Sequence, residues 1–182
     1  MNERIVILDR DGVINFDSDE YIKSADEWIP IPGSLEAIAR LNRSGYRVLV
    51  VTNQAGLGRG LFDRPTLDAI HAKMRHMAAA VGGSIEAIYF CPHTPEERCP
   101  CRKPEPGMYH AIAKRLDNDL RNVPSIGDSL RDIQAARAAG ADPILVRTGN
   151  GRDTEMQLQG MDIPVYDDLA AAVGGLLASE RR

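Results

Sequence analysis

No run of apolar residues in this 182-residue chain is long enough to cross a bilayer. The one apolar stretch near the N-terminus is broken by Asp9 and Asp11, so the basic-then-apolar pattern of a secretory leader is missing and a cytoplasmic location is expected. Basic residues are not in excess. The net charge is -4, which argues against a broad nucleic-acid surface and leaves room only for a local cationic pocket. Cysteine is scarce: there are three, all between Cys91 and Cys101, and an odd, clustered set is a poor disulfide framework. In a reducing compartment such a cluster points to a metal instead. Internal repeats and low-complexity segments are also missing. What remains, 43% hydrophobic and 26% charged residues, is ordinary for a globular protein. The length supports one core, so a single domain over residues 1–182 is expected, monomeric and without a membrane or nucleic-acid partner.

Short β-rich runs alternate with longer stretches of helical periodicity. Strands are expected over Arg4–Leu8, Arg47–Val51, Ile85–Phe90, Pro124–Ile126 and Pro143–Val146, with Ile163–Tyr166 as a last edge strand. A helix is expected over Gly33–Ser44, where Leu35, Ile38, Ala39 and Leu41 recur at helical spacing. Further helices are expected from Pro65 to Val81, over Gly107–Leu116 and Leu130–Ala139, and near Leu169–Leu177. Ser179 to Arg182 reads as a frayed tail. This alternation implies right-handed βαβ units and an α/β fold, a Rossmann-like parallel sheet with helices on both faces. Nearly uninterrupted apolar strands agree with burial on both sides. Ligands of such sheets bind beyond the carboxyl ends of the strands, so each strand tip is a place to look for chemistry.

The first tip is the most telling: Ile5-Val6-Ile7-Leu8 ends in Asp9-Arg10-Asp11-Gly12. Alternate residues of an extended chain share a face, so Asp9 and Asp11 reach one centre if that geometry continues past Leu8. Ionised carboxylates beside a core are costly unless a cation neutralises them, and a hard ion such as Mg²⁺ suits oxygen ligands. The plainer alternative is a strand that stops at turn-forming Asp and Gly. At the second tip Val48-Leu49-Val50-Val51 runs into Thr52-Asn53-Gln54-Ala55-Gly56. A hydroxyl followed by main-chain N–H groups can hold a phosphate oxygen, or can simply end a strand. Arg102-Lys103-Pro104 sets two cations ahead of the Gly107–Leu116 helix, as an anion site or as a solvated loop. The fourth tip, Gly127-Asp128-Ser129, is followed by Asp132 one turn on. Asp128 reads as a third carboxylate for the cation, as the N-cap of the next helix, or as both. Each tip is weak alone, but the set falls on consecutive strands whose tips converge.

Asp9-Arg10-Asp11-Gly12-Val13, the strand ending in Thr52-Asn53, Lys103-Pro104 and Gly127-Asp128-Ser129-Leu130-Arg131-Asp132 resemble, in that order, the four motifs of the haloacid dehalogenase-like (HAD-like) hydrolases. More narrowly, Thr52-Asn53-Gln54-Ala55-Gly56-Leu57-Gly58-Arg59-Gly60 and Cys101-Arg102-Lys103-Pro104-Glu105-Pro106-Gly107-Met108 resemble the heptose bisphosphate phosphatases, a branch related to the histidinol-phosphate phosphatases. The resemblance implies a HAD-like fold and a Mg²⁺-dependent phosphoric monoester hydrolase acting on a small sugar phosphate or bisphosphate, here the C7 phosphate of a heptose bisphosphate. It makes Asp9 the nucleophile, which suits a carboxylate able to form an aspartyl-phosphate, and Asp11 the general acid and then base. It assigns Mg²⁺ to Asp9, the main-chain carbonyl of Asp11 and Asp128, and phosphate oxygens to Thr52 and Lys103. Arg102 is implied in substrate recognition, where a bidentate guanidinium fits a second phosphate. Arg10, Asp17, Tyr21, Asn53, Gln54 and Ala55 are implied around the substrate. Arg147, near the fifth tip, is a further candidate for the second phosphate and otherwise a surface arginine.

Cys91-Pro92-His93 and Cys99-Pro100-Cys101 flank a short polar loop. Three thiols and an imidazole make a closed set that suits structural zinc, although the one-residue pair spacing is tighter than usual and leaves free thiols beside a chance histidine as the other reading. The heptose bisphosphate phosphatases carry zinc on this loop, so the resemblance implies Zn²⁺ on Cys91, His93, Cys99 and Cys101, fixing the loop that aims Arg102 and Lys103. His71, His76 and His110 lie on expected helices and read as solvent-facing or half-buried, and Trp28 reads as packing. The gaps from Asp11 to Thr52 and from Thr52 to Lys103 are too short for an inserted cap domain of even about 50 residues. Specificity then rests on the loops Asp17–Tyr21, Gln54–Gly60 and Cys91–Lys103. Two rivals stand beside this reading. One is a histidinol-phosphate or broader sugar-phosphate phosphatase, whose compact zinc loop the short gap from His93 to Cys99 resembles. The other is a catalytically silent interaction scaffold, against which the full set Asp9, Asp11, Thr52, Lys103 and Asp128 argues.

Overall fold

The computed structural model describes residues 4–158 and 160–179; Glu180, Arg181 and Arg182 of the expected tail lie outside the described residues. In chain order the elements are β1 (Arg4–Leu8), α1 (Ser34–Arg43), β2 (Tyr46–Asn53), α2 (Ala55–Gly58), α3 (Arg64–Ala80) and β3 (Ala87–Cys91), then α4 (Gly107–Leu116), β4 (Pro124–Gly127), α5 (Leu130–Ala138), β5 (Asp142–Val146), α6 (Gly151–Gln157), β6 (Val165–Tyr166) and α7 (Leu169–Ser179). The strands form one parallel sheet in the order β3-β2-β1-β4-β5-β6. No domain is inserted between the strand tips among the described residues.

The sheet is buried on both faces because the middles of its central strands are unbroken apolar runs, Ile5–Leu8 and Val48–Val51, and the two-residue period sorts them. Val6, Leu8, Val48 and Val50 point into one core with Trp28, Ile38, Leu41, Ile70 and Met74. Ile5, Ile7, Leu49 and Val51 point into the other with Tyr109, Ile112, Ala135 and Ala136. Truncating a residue such as Leu8 to alanine in this setting costs about 2–5 kcal/mol.

Departures from the expected elements have local causes. β3 starts at Ala87 rather than Ile85 and takes in Cys91, because its ladder with β2 runs from Leu49–Ala87 to Asn53–Cys91. α3 opens at Arg64 because the Asp63 carboxylate accepts from the N–H of Thr66 at 2.9 Å, an N-cap two residues ahead of Pro65. Two helices were not expected. α2 carries two glycines in four residues, and α6 (Gly-Arg-Asp-Thr-Glu-Met-Gln) buries only Gly151 and Thr154, so neither shows helical periodicity.

Candidate active site

β1 lies between β2 and β4, and the register sets Leu8 opposite both Val50 and Ile126. Asp9 to Asp11, Thr52 to Gln54 and Asp128 therefore emerge side by side where the strand order reverses, the position at which open α/β sheets bind ligands. A cavity of ≈ 210 Å³ opens there. Asp9, Arg10, Asp11, Asp17, Tyr21, Thr52, Asn53, Gln54, Ala55, Arg102, Lys103 and Asp128 all line it. Ser18, Arg59 and Pro95, from the loops expected to set specificity, line it as well, and so do Ile22, Ser129, Arg131, Asp132 and Asn150, for which no role was foreseen.

Lys103 is the hinge of the cavity floor. It is 3% exposed, and its ammonium donates to Val51 O at 3.1 Å and lies 2.9 Å from Asp9 Oδ1 and 2.5 Å from Asp132 Oδ1, paired with both carboxylates. Asn53 sets this lysine in place: its side chain donates to Lys103 O and accepts from Lys103 N–H, both at 3.0 Å. The Lys103-Pro104 peptide is cis. Burial opposes the lysine's charge, but the Asp132 and Asp9 carboxylates outweigh it and hold Lys103 above its usual range. Burial likewise opposes the charge of Asp132, yet Lys103 and the hydrogen bonds from Ser129 keep that carboxyl below the ordinary range. Asp9 goes the other way. Burial and then the negative charge of Asp132 push it well above the ordinary range, against the pull of Lys103. Burial, followed by Asp132, pushes Asp128 up to about 7.

Carboxylate oxygens of Asp9, Asp128 and Asp132 lie within 4.8 Å of one another, all buried. One ammonium does not balance three such carboxylates, and repulsion from Asp132 adds to burial in the upward pressure on Asp9 and Asp128. The donor set, hard oxygens only, fits Mg²⁺. The chain also makes room for Asp128: a Cβ on Gly12 or on Gly149, both at positive φ, would sit 2.1 Å from Asp128 Oδ2. The main-chain N–H of Asn150 donates to that oxygen at 2.8 Å. Asp128 is not the helix N-cap. Ser129 occupies that position and donates through its N–H and hydroxyl to Asp132 Oδ2, which leaves Asp128 free to face the cavity.

The Asp11 carboxylate is turned away from this trio. It accepts from Arg10 Nε and Nη2 (3.0 Å each), Asn15 Nδ2 (2.9 Å) and Gln54 Nε2 (2.9 Å). Gln54 also donates to Thr52 Oγ1 at 2.9 Å. Arg10 Nη1 reaches His71 Nε2 at 3.2 Å. His71 thus corrects the sequence reading: it is buried in contact with the site, whereas His76 and His110 are exposed. Burial first, and then the Arg10 charge, press the His71 imidazole down to about 3. It is therefore neutral, and since a guanidinium only donates, Nε2 is its acceptor nitrogen. Trp28 is fully buried in the core.

At the rim, Arg102 donates to His93 O at 3.3 Å. Partial burial, and then the positive charge of Arg131 beside it, push its guanidinium below the usual range. No carboxylate pairs with Arg102 or Arg131 among the described residues. Arg147 does not join them, because Glu155 (2.7 Å) and Asp167 (2.8 Å) hold it outside the cavity. Arg147 is thus the surface arginine of its alternative reading, and the arginine that stands with Arg102 at the cavity is Arg131, from the first turn of α5.

Behind the rim, Cys91 Sγ, His93 Nδ1, Cys99 Sγ and Cys101 Sγ gather within 4.8 Å of one another. The sulfurs stand 3.2–3.5 Å apart, far beyond a disulfide bond. His93 Nδ1 lies 3.3 Å from Cys101 Sγ and 3.6 Å from Cys91 Sγ. Three sulfurs and one nitrogen converging at such distances fit a single tetrahedral ion of the zinc type.

Carboxylate, hydroxyl, lysine and second carboxylate, delivered in this order by a 3-2-1-4-5-6 sheet, define the class: a hydrolase of the HAD-like type. Residues 100–172 match the HAD-hydrolase-like family model. A D-glycero-beta-D-manno-heptose-1,7-bisphosphate 7-phosphatase of Bordetella bronchiseptica is 56% identical over 178 residues, 96% of this chain and 98% of the relative. One of Pseudomonas aeruginosa is 48% identical over 181 residues, 97% of this chain and 99% of the relative. The crystal structure of the D,D-heptose 1,7-bisphosphate phosphatase of B. bronchiseptica complexed with magnesium and phosphate matches with a TM-score of 0.94 at 55% identity, covering 97% of this chain and 99% of that one. The chain belongs to the D-glycero-beta-D-manno-heptose-1,7-bisphosphate 7-phosphatase family of the HAD-like hydrolases. No helix among the described residues is long and apolar enough to cross a membrane.

Proposed function

We propose that the chain removes the C7 phosphate of D-glycero-beta-D-manno-heptose 1,7-bisphosphate, the substrate in the names of its relatives, through an aspartyl-phosphate on Asp9. One observation carries the reading: Lys103 lies 2.9 Å from Asp9 beneath a cavity rimmed by Arg102 and Arg131. The floor suits the phosphate that is transferred, and the paired guanidiniums suit the one that stays. Asp9 Oδ1 accepts from the N–H of Arg10 and lies 2.9 Å from the Lys103 ammonium, which fixes the carboxylate in one orientation for attack on phosphorus. Lys103 and the Thr52 hydroxyl steady the equatorial oxygens. Asp11 gives its proton to the departing C7 oxygen, then takes one from the water that hydrolyses the aspartyl-phosphate. Magnesium, held by Asp9, Asp128 and the main-chain carbonyl of Asp11, supplies charge neutralisation at the phosphoryl group when bound. Cys91, His93, Cys99 and Cys101 would hold zinc with four protein donors, and the ion would then fix the loop that carries Arg102 and Lys103. The same reading takes residues 1–182 as one domain and the enzyme as monomeric and cytoplasmic, with a sugar bisphosphate rather than nucleic acid as its partner.

Steady-state kinetics on heptose bisphosphate, heptose 7-phosphate and histidinol phosphate test this. The bisphosphate is expected to lead in kcat/KM over the monophosphate by about 10-fold to 100-fold, the worth of charge-assisted bonds to the second phosphate. Arg131→Ala is expected to erase most of that preference and to spare the monophosphate. A preference for histidinol phosphate overturns the reading.

A further inference from the structure

The contact between His71 and Arg10 has no part in the reaction as described. His71 projects from α3 into the space under the first strand tip, with the Phe90 ring centroid 6.2 Å from its own. Its partner Arg10 is 1% exposed, and of the groups that hold Asp11 only Arg10 grips both carboxylate oxygens; Asn15 and Gln54 supply one bond each. A planar guanidinium holds a carboxylate in one orientation only if its remaining N–H groups are also satisfied, since a buried donor left without a partner turns toward another. A neutral imidazole meets that need without a second positive charge. We propose that His71 is a positioning residue: it fixes Arg10, and through Arg10 the direction in which Asp11 presents its oxygens to the ester oxygen. The proposal rests on Asp11 as the general acid, and His71 itself does not touch the substrate.

Leaving-group dependence separates this role from a merely structural one. When the P–O bond breaks, the proton of Asp11 passes to the departing oxygen; a sugar alkoxide needs that proton, and a dinitrophenolate leaves without it. In His71→Leu, the rate of the first phosphoryl transfer from heptose bisphosphate, read in rapid-quench single turnovers, is expected to fall about tenfold with half-saturation within about twofold, while the initial burst of dinitrophenolate from dinitrophenyl phosphate stays within about twofold. His71→Gln, which restores an acceptor, is expected to recover most of the loss. His71→Met, an unbranched side chain less apt to disturb folding, is expected to show the same split between substrates as leucine. Equal losses on both substrates, or none on either, overturn the proposal. Asp11→Asn is the control. If it shows no such split, the general-acid reading fails; if it shows the split and the His71 variants do not, only the role of His71 fails.

Discussion

The molecule gathers metal-type donors twice, by different means. On the cavity floor, Asp9 and Asp128 leave adjacent strands and Asp132 sits in the first turn of α5, so sheet register and a buried lysine set their spacing. In the thiol loop only Cys91 belongs to a strand; His93, Cys99 and Cys101 lie on irregular chain around one 3-10 turn, Pro95–Glu97. A sheet with a packed core on each face can hold like charges together against their repulsion. A loop has few buried contacts of its own and takes its order from what its donors share. The floor is thus expected to keep its shape when its ion leaves, and the loop is not.

The largest expected effect isolates chemistry from shape. Asp9→Asn should lower turnover by about four orders of magnitude or more with an unchanged circular dichroism spectrum; near-normal hydrolysis removes Asp9 as the nucleophile. Gly149→Ala tests the floor's own geometry. With φ at +55° and a Cβ 2.1 Å from Asp128 Oδ2, it should weaken magnesium binding, read by calorimetry, by about 10-fold to 100-fold. Unchanged affinity means that the clasp around Asp128 is not what positions it. Cys99→Ser tests the other region. Loss of one thiol should cost about 2–3 kcal/mol and lower the melting temperature by about 5–10 °C, whereas stripping magnesium alone should move it little. Equal shifts for the two treatments break the comparison.

The smallest expected effect is a pH dependence of stability. The folded-state pKa of His71, about 3, lies below the unfolded value of 6.5. The unfolded chain therefore binds the extra proton between those limits, so this stability is fully present above pH 6.5 and is lost as pH falls toward 3. Urea denaturation at about pH 4.5 should show wild type losing about 2 kcal/mol more than His71→Gln, relative to neutral pH. Parallel losses mean that His71 is hydrated rather than buried.

The strand tips were legible because each joins an apolar run to polar residues within three or four positions, a signal that survives without knowledge of packing. Asp132 stands in the fourth motif with no role read for it, and Asn150 and His71 have no such local mark. Asp132 enters the floor because Ser129 starts a helix that turns it inward, and Asn150 because the chain folds back over Gly12, where Thr148 Oγ1 donates to Gly12 O at 2.6 Å. His71 is one of several polar residues on α3, and only the rotation of that helix against the sheet buries it and leaves His76 in water. α6 was invisible because it has no apolar stripe to read.

By itself the sequence determined the parallel sheet, the pairing of Asp9 with Asp11 on one strand end and the thiol cluster, since these follow from side-chain order and the two-residue period of extended chain. Only the tertiary structure decided which cations serve the cavity. Arg131 and Arg147 are equivalent as letters, but Glu155 and Asp167 neutralise one of them outside the site, and the other stands beside Arg102 at the rim. Charge acts through space, and the distances that rank its partners exist only once the helices have docked.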